Sequence, residues 1–136
     1  MTDMYEKLTK CLEIVREKTD FVPKIALVLG SGLGGYAENA DIAATIDYSD
    51  IPGFPVSTVP GHTGRFIFGY IKGVPIVIMQ GRVHYYEGYS VGDVVLPIRL
   101  MGMMGAETLM LTNAVGAINK SYAAETYHVY SGLIII

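Results

Sequence analysis

The chain has 136 residues, 51% of them hydrophobic and 17% charged, with a formal net charge of −3. That length suits one domain with a real core, the apolar content excludes a disordered chain, and the acidic balance argues against nucleic acid, which needs a basic face. Cys11 is the lone cysteine, the N-terminus is charged and helical rather than a signal peptide, and no apolar run reaches membrane-spanning length, so a soluble cytoplasmic protein without a membrane partner is expected.

In chain order, Tyr5, Leu8, Leu12 and Val15 fall on one stripe of an amphipathic helix over residues 3–18, with Asp3 and Glu6 at capping-box separation. Pro23 separates it from a strand at 25–29, apolar on both faces as the middle of a parallel or mixed sheet is. The loop Gly30-Ser31-Gly32-Leu33-Gly34-Gly35 follows, then a short helix over 34–40 and a strand over 43–48. Ile51-Pro52-Gly53-Phe54-Pro55 breaks regular structure. Residues 65–71 and 74–79 read as a β-hairpin around a tight turn at Lys72-Gly73. Ser90 and Asp93 cap a helix over 91–104 that Pro97 is expected to kink, and 108–112 is a further short strand. With no repeat and no linker, this mixture predicts one α/β domain over residues 1–136, a mixed β-sheet flanked by helices.

Four groups carry chemistry. Backbone amides in a glycine loop after a buried strand can cradle an anion, and the Ser31 hydroxyl adds a donor. Gly30, Gly32 and Gly35 also satisfy the G-x-G-x-x-G pattern of dinucleotide sites, and a tight turn with no ligand uses the same residues. In Pro60-Gly61-His62-Thr63-Gly64-Arg65, His62 can donate to an anion or carry a proton, or simply face solvent in a turn. On an extended chain Arg82, His84 and Tyr86 alternate onto one side. Arginine there suits bidentate phosphate binding and Tyr86 can pack against a sugar; a solvent-facing strand end is the plainer reading. Thr112-Asn113-Ala114 stands at a strand's carboxyl end, where open α/β sheets bind ligands, although asparagine is equally a turn residue. His62, His84 and His128 lack metal-ligand spacing, so no metal is expected, and Ser31 lies outside a G-x-S-x-G elbow.

A dinucleotide site wants an acidic residue at a strand tip about twenty residues past the glycines. Asp47 and Asp50 stand at that distance, but on a weak strand and after a helix short for a crossover. That reading leaves His62 and the Arg82 segment unused; orthophosphate uses them all.

Taken together, Gly30-Ser31-Gly32-Leu33-Gly34, Pro60-Gly61-His62, Gly81-Arg82-Val83-His84-Tyr85-Tyr86-Glu87-Gly88-Tyr89 and Thr112-Asn113-Ala114 resemble, in order and spacing, the trimeric purine nucleoside phosphorylases. The resemblance covers roughly residues 1–120. It implies a nucleoside-phosphorylase-like α/β fold, a homotrimer, and reversible phosphorolysis of a purine nucleoside to free base and pentose 1-phosphate. Phosphate is the co-substrate, and no cofactor or metal is needed. By the family's pattern Ser31, His62, Arg82, His84 and the Ala114 backbone amide would hold phosphate, with His84 and His62 as the catalytic groups. Tyr86 and Asn113 would face the ribose. The chemistry suits these residues: a phosphate fixed beneath the sugar both stabilises and traps an oxocarbenium-like centre.

The departures from the pattern are equally specific. Family subunits are roughly twice as long, and the glutamate and asparagine that bind the purine, a further phosphate serine and a histidine near the ribose have no counterpart here. Asn113-Ala114-Val115-Gly116-Ala117 replaces the family's Asn-Ala-Ala-Gly-Gly, and residues 121–136 form a divergent tail. The expectation is an N-terminal half with little phosphorolysis of its own. The alternatives are a non-catalytic phosphate or sugar-phosphate binding module and, after it, a dinucleotide-binding module.

Overall fold

Alternation along the central strands decides how the molecule is layered. The computed structural model describes residues 2–30, 32–56, 64–113 and 118–122. Helix α1 (Thr2–Lys18) is followed by β1 (Ile25–Val28), β2 (Asp41–Asp47), β3 (Arg65–Ile71), β4 (Val74–Gln80), α2 (Val91–Met103) and β5 (Thr108–Leu111). Short 3-10 helices occupy Gly34–Asn39, Tyr48–Asp50 and Tyr85–Glu87, the first of two turns and the others of one. The five strands form one mixed sheet in the order β2-β3-β4-β1-β5. β1 is parallel to both neighbours, pairing Ile25 with Ile76 on one side and with Thr108 on the other. β3 is antiparallel to β2 and β4, and the expected hairpin turns through Lys72 and Gly73, both at positive φ (50° and 78°).

Successive side chains leave opposite faces of a strand. Ala26, Val28, Phe66, Phe68, Val77 and Met79 therefore join one buried cluster, while Leu27, Ile67, Ile76 and Ile78 join another. The first cluster receives α1 and α2 together with Tyr48, Ile51 and Phe54. Its aromatic rings pack edge to face or tilted, with Tyr48 4.9 Å from Phe54 and 5.0 Å from Phe66. On the other face Ala37, from the turn after β1, packs with Leu27, Leu29 and Ile78. Burying each large aliphatic side chain stabilises the fold by roughly 1.5–3 kcal/mol, so β3 and β4, buried on both faces, dominate the core.

Both helices refine the sequence reading. The buried stripe of α1 is Leu8, Cys11 and Val15 with Met4 packed beside it, while Tyr5 is 68% exposed. Both stripes have helical spacing, and the partner face chooses between them. The helix starts at Thr2, so Asp3 lies inside its first turn rather than capping it. Burial raises the Cys11 thiol pKa despite the nearby Lys7 ammonium. In α2 the Ser90 hydroxyl accepts from the Asp93 amide at 3.1 Å, the expected cap. The helix continues through Pro97, whose neighbours Leu96, Leu100 and Met101 are fully buried; packing offsets the missing N–H. Lys7 reaches across to Asp93 at 2.9 Å and joins the two helices. No helix among the described residues is long and apolar enough to cross a membrane.

Candidate functional site

Three parallel strands, β4, β1 and β5, deliver their carboxyl ends to the same edge of the sheet, where open α/β sheets bind ligands. Thr112 joins two of those ends. Its hydroxyl donates to the Val28 carbonyl and accepts from the Gly30 amide, both at 2.8 Å. Gly30 is glycine for a spatial reason: a Cβ there would stand 2.8 Å from the Thr112 carbonyl oxygen. The third end closes onto the same residue, because the Arg82 Nη1 donates to the Thr112 carbonyl at 3.3 Å. Beneath it, Gln80 accepts from Arg65 at 2.6 Å and donates to the Gly34 carbonyl at 2.7 Å, tying β3 and β4 to the glycine loop.

Arg82 also donates through Nε to His84 Nε2 at 3.3 Å. Both of its contacts are at the long end of the hydrogen-bond range, so an anion could compete for this fork of five N–H donors. Glu87 fixes the histidine. Its Oε1 accepts from the His84 backbone N–H at 2.8 Å and lies 3.1 Å from Nδ1. A carboxylate only accepts, which puts the ring hydrogen on Nδ1 and leaves Nε2 toward Arg82. The Glu87 side chain is 6% exposed against 33% for His84, so the orienting group is buried and the oriented one is accessible. The Tyr86 ring stacks on the His84 ring at 4.8 Å and 15° and is 82% exposed.

Arg82, His84 and Tyr86 are thus together, but not on an extended chain. His84 is the cap of the 3-10 turn Tyr85–Glu87, and Gly88 ends the turn at φ 92°. The capping carboxylate of Glu87 competes with strand continuation and wins, and the turn stacks Tyr86 back over His84. Asn113 follows Thr112 and is exposed at the same sheet edge. Ser31, His62 and Ala114 lie outside the described residues, as does most of the 121–136 tail. The sequence motifs contain Glu87 and Thr112 but give neither of them a role. The role of Glu87 was legible as an H-x-x-E pair one turn apart; the bridging role of Thr112 gave no local signal beyond its strand-end position, since its partners are 82 and 84 residues away.

The dinucleotide reading finds no support in this topology. β2, which should lie parallel beside β1, is antiparallel to β3 and at the opposite edge of the sheet. Asp47 and Asp50 go with it, and Asp50 pairs with Lys18 at 3.2 Å.

A profile of the Phosphorylase superfamily matches residues 24–134. Purine nucleoside phosphorylase 1 of Geobacillus stearothermophilus is 48% identical over 115 residues, which are 85% of this chain and 42% of that protein. The purine nucleoside phosphorylase of Schistosoma mansoni, solved with acetate, superposes with a TM-score of 0.80 at 44% identity, covering 87% of this chain and 43% of the other. A purine nucleoside phosphorylase solved with ribose-1-phosphate gives a TM-score of 0.80 at 45% identity and the same coverage. The chain spans about two-fifths of the length of the curated relatives it matches.

Proposed function

We propose, because this chain belongs to the phosphorylase superfamily, that its strand-end cluster binds inorganic phosphate and the phosphate of a pentose 1-phosphate. The observation that carries this is the Arg82 guanidinium, held by long bonds between His84 and Thr112 at the meeting point of three strand ends. A solved relative of the same fold holds ribose-1-phosphate, which supports the same ligand class here. In this reading Arg82 grips the anion, His84 is presented by Glu87, and Ser31, His62 and the Ala114 amide supply further donors. Tyr86 and Asn113 face the pentose.

The reaction proposed for the completed site is purine nucleoside phosphorolysis. A phosphate oxygen forms a bond to the anomeric carbon as the glycosidic carbon–nitrogen bond breaks. The bonding pair leaves on the base, which is then protonated. Positioned phosphate stabilises the cationic sugar and captures it, and neither cofactor nor metal is required. A trimer, a cytoplasmic place in purine salvage, and partners limited to phosphate and nucleoside go with this reading. The buried lone thiol of Cys11 suits a reducing compartment. Residues 1–136 span about two-fifths of the length of the phosphorylases they match, so incubation of these residues alone with inosine and phosphate is expected to show little ultraviolet change. Turnover at ordinary enzymatic rates would overturn that expectation.

Phosphate binding is tested by titration calorimetry on wild type and Arg82→Ala. Charge-assisted bonds contribute about 1.5–3 kcal/mol, so affinity should fall roughly ten- to hundredfold. Equal heats would reject the site, and saturable binding of NAD would revive the dinucleotide reading.

A further inference from the structure

Two tyrosines outside the strand-end cluster hold neighbouring backbone against it. The segment 57–63, which carries His62, leaves the described residues after Val56 and returns at Gly64. At Val56, the Tyr89 hydroxyl accepts from the amide at 3.2 Å and donates to the carbonyl of the same residue. At Gly64, the carbonyl accepts from the Tyr48 amide at 3.0 Å. A Cβ on Gly64 would collide with the Tyr48 ring, so the backbone lies flat on that ring. The Tyr48 hydroxyl then donates to the Gly81 carbonyl at 2.9 Å, one residue before Arg82.

We infer that Tyr89 and Tyr48 are positioning residues that fix Val56 and Gly64 against the segment bearing Arg82 and His84, so that phosphate affinity depends on both hydroxyls. Each tyrosine connects the same two stretches of chain, 48–64 and 81–89, from opposite ends. Their settings differ: Tyr48 is 2% exposed inside the aromatic cluster, whereas the Tyr89–Val56 pair is at the surface. Burial raises the Tyr48 phenol well above its ordinary pKa, so it remains a donor throughout the working range. Neither hydroxyl touches Arg82 or His84, and both act through backbone. Two hydrogen bonds to one backbone residue are an expensive arrangement for a surface side chain to maintain unless that residue's place matters.

The functional half of the inference rests on the reading of Arg82 and His84 as a phosphate site, and the experiment separates the two. Tyr89→Phe and Tyr48→Phe keep the rings and remove the hydroxyls. Amide hydrogen exchange at Val56, phosphate calorimetry and the thermal midpoint are measured on each, alongside wild type. In Tyr89→Phe, Val56 exchange should accelerate about fivefold or more, the consequence of losing a bond of ordinary strength. Phosphate affinity should fall about three- to tenfold in both variants, with Tyr89→Phe melting close to wild type. Unchanged Val56 exchange overturns the clasp. Faster exchange with unchanged affinity makes Tyr89 merely structural and overturns its positioning role. Absence of phosphate binding by wild type rejects the site reading, and with it the functional half, while Val56 exchange still decides whether the clasp exists.

Discussion

β4 and β5 flank the same strand in the same direction, yet they are held in different ways. In β4, Ile76, Val77, Ile78 and Met79 are all buried. In β5, Leu109, Met110 and Leu111 are 44%, 50% and 57% exposed. Each strand nevertheless ends in a residue of the cluster, Arg82 beyond one and Thr112 beyond the other. Placing a side chain at a sheet edge therefore does not require a buried strand. β5 is set by its ladder to β1 and by the two bonds of the Thr112 hydroxyl.

The sharpest way to break this contrast is to remove equivalent bulk from both strands. Ile78→Ala, at a fully buried position, should cost about 2–5 kcal/mol in urea unfolding. Met110→Ala should stay within about 0.5 kcal/mol, and an equal loss would mean that β5 is covered in solution. Next in size is Thr112→Val, which leaves the Gly30 amide without its partner, while the Val28 carbonyl loses one of two bonds and keeps the one from the residue 112 amide at 3.1 Å. A loss of about 1–3 kcal/mol is expected, with faster Gly30 amide exchange. Thr108→Val, exposed at the start of the same strand, is the control and should change little. If both threonines behave alike, the hydroxyl does not anchor β5.

The smallest effect lies far from either strand, in the Lys7–Asp93 pair. Hydrogen bonds from Lys7 and then Ser90 lower the Asp93 pKa from its ordinary 3.8. A depressed carboxyl stabilises the fold at pH values above its unfolded pKa, and that contribution is lost as pH falls through the folded value. The window therefore lies below about pH 4, and solvent screening keeps the effect small. Lys7→Met should lower neutral stability slightly, and the difference from wild type should vanish as pH falls through the folded pKa of Asp93. A large loss at pH 7 would show that the pair holds the two helices together.

Much of the fold was legible because the signals were local. The Lys72-Gly73 hairpin, the Ser90 cap and the both-face apolar strands follow from turn chemistry, capping and periodicity within a few residues. The stripe of α1 was half legible, since Tyr5 and Met4 both fit helical spacing and only tertiary packing selects Met4, whose side chain lies against Gly92 of α2. In the site, residue types pointed to Arg82, His84 and Tyr86, but alternation gave the wrong backbone. A capping contact between His84 and Glu87 turned the chain where periodicity extended it.

By itself the sequence determined most of the elements and membership of a superfamily, since each rests on residue identity and short-range spacing. Tertiary structure alone decided that β2 stands at the far edge from β1, which removes the dinucleotide reading. It also decided that Thr112 bridges Val28 and Gly30, and that Tyr89 and Tyr48 grip the two ends of one segment. The physical reason is range. Propensity, capping and periodicity act over about one helical turn or one strand pair. Strand order, and bonds that span more than eighty residues of chain, are chosen only when whole faces compete for burial.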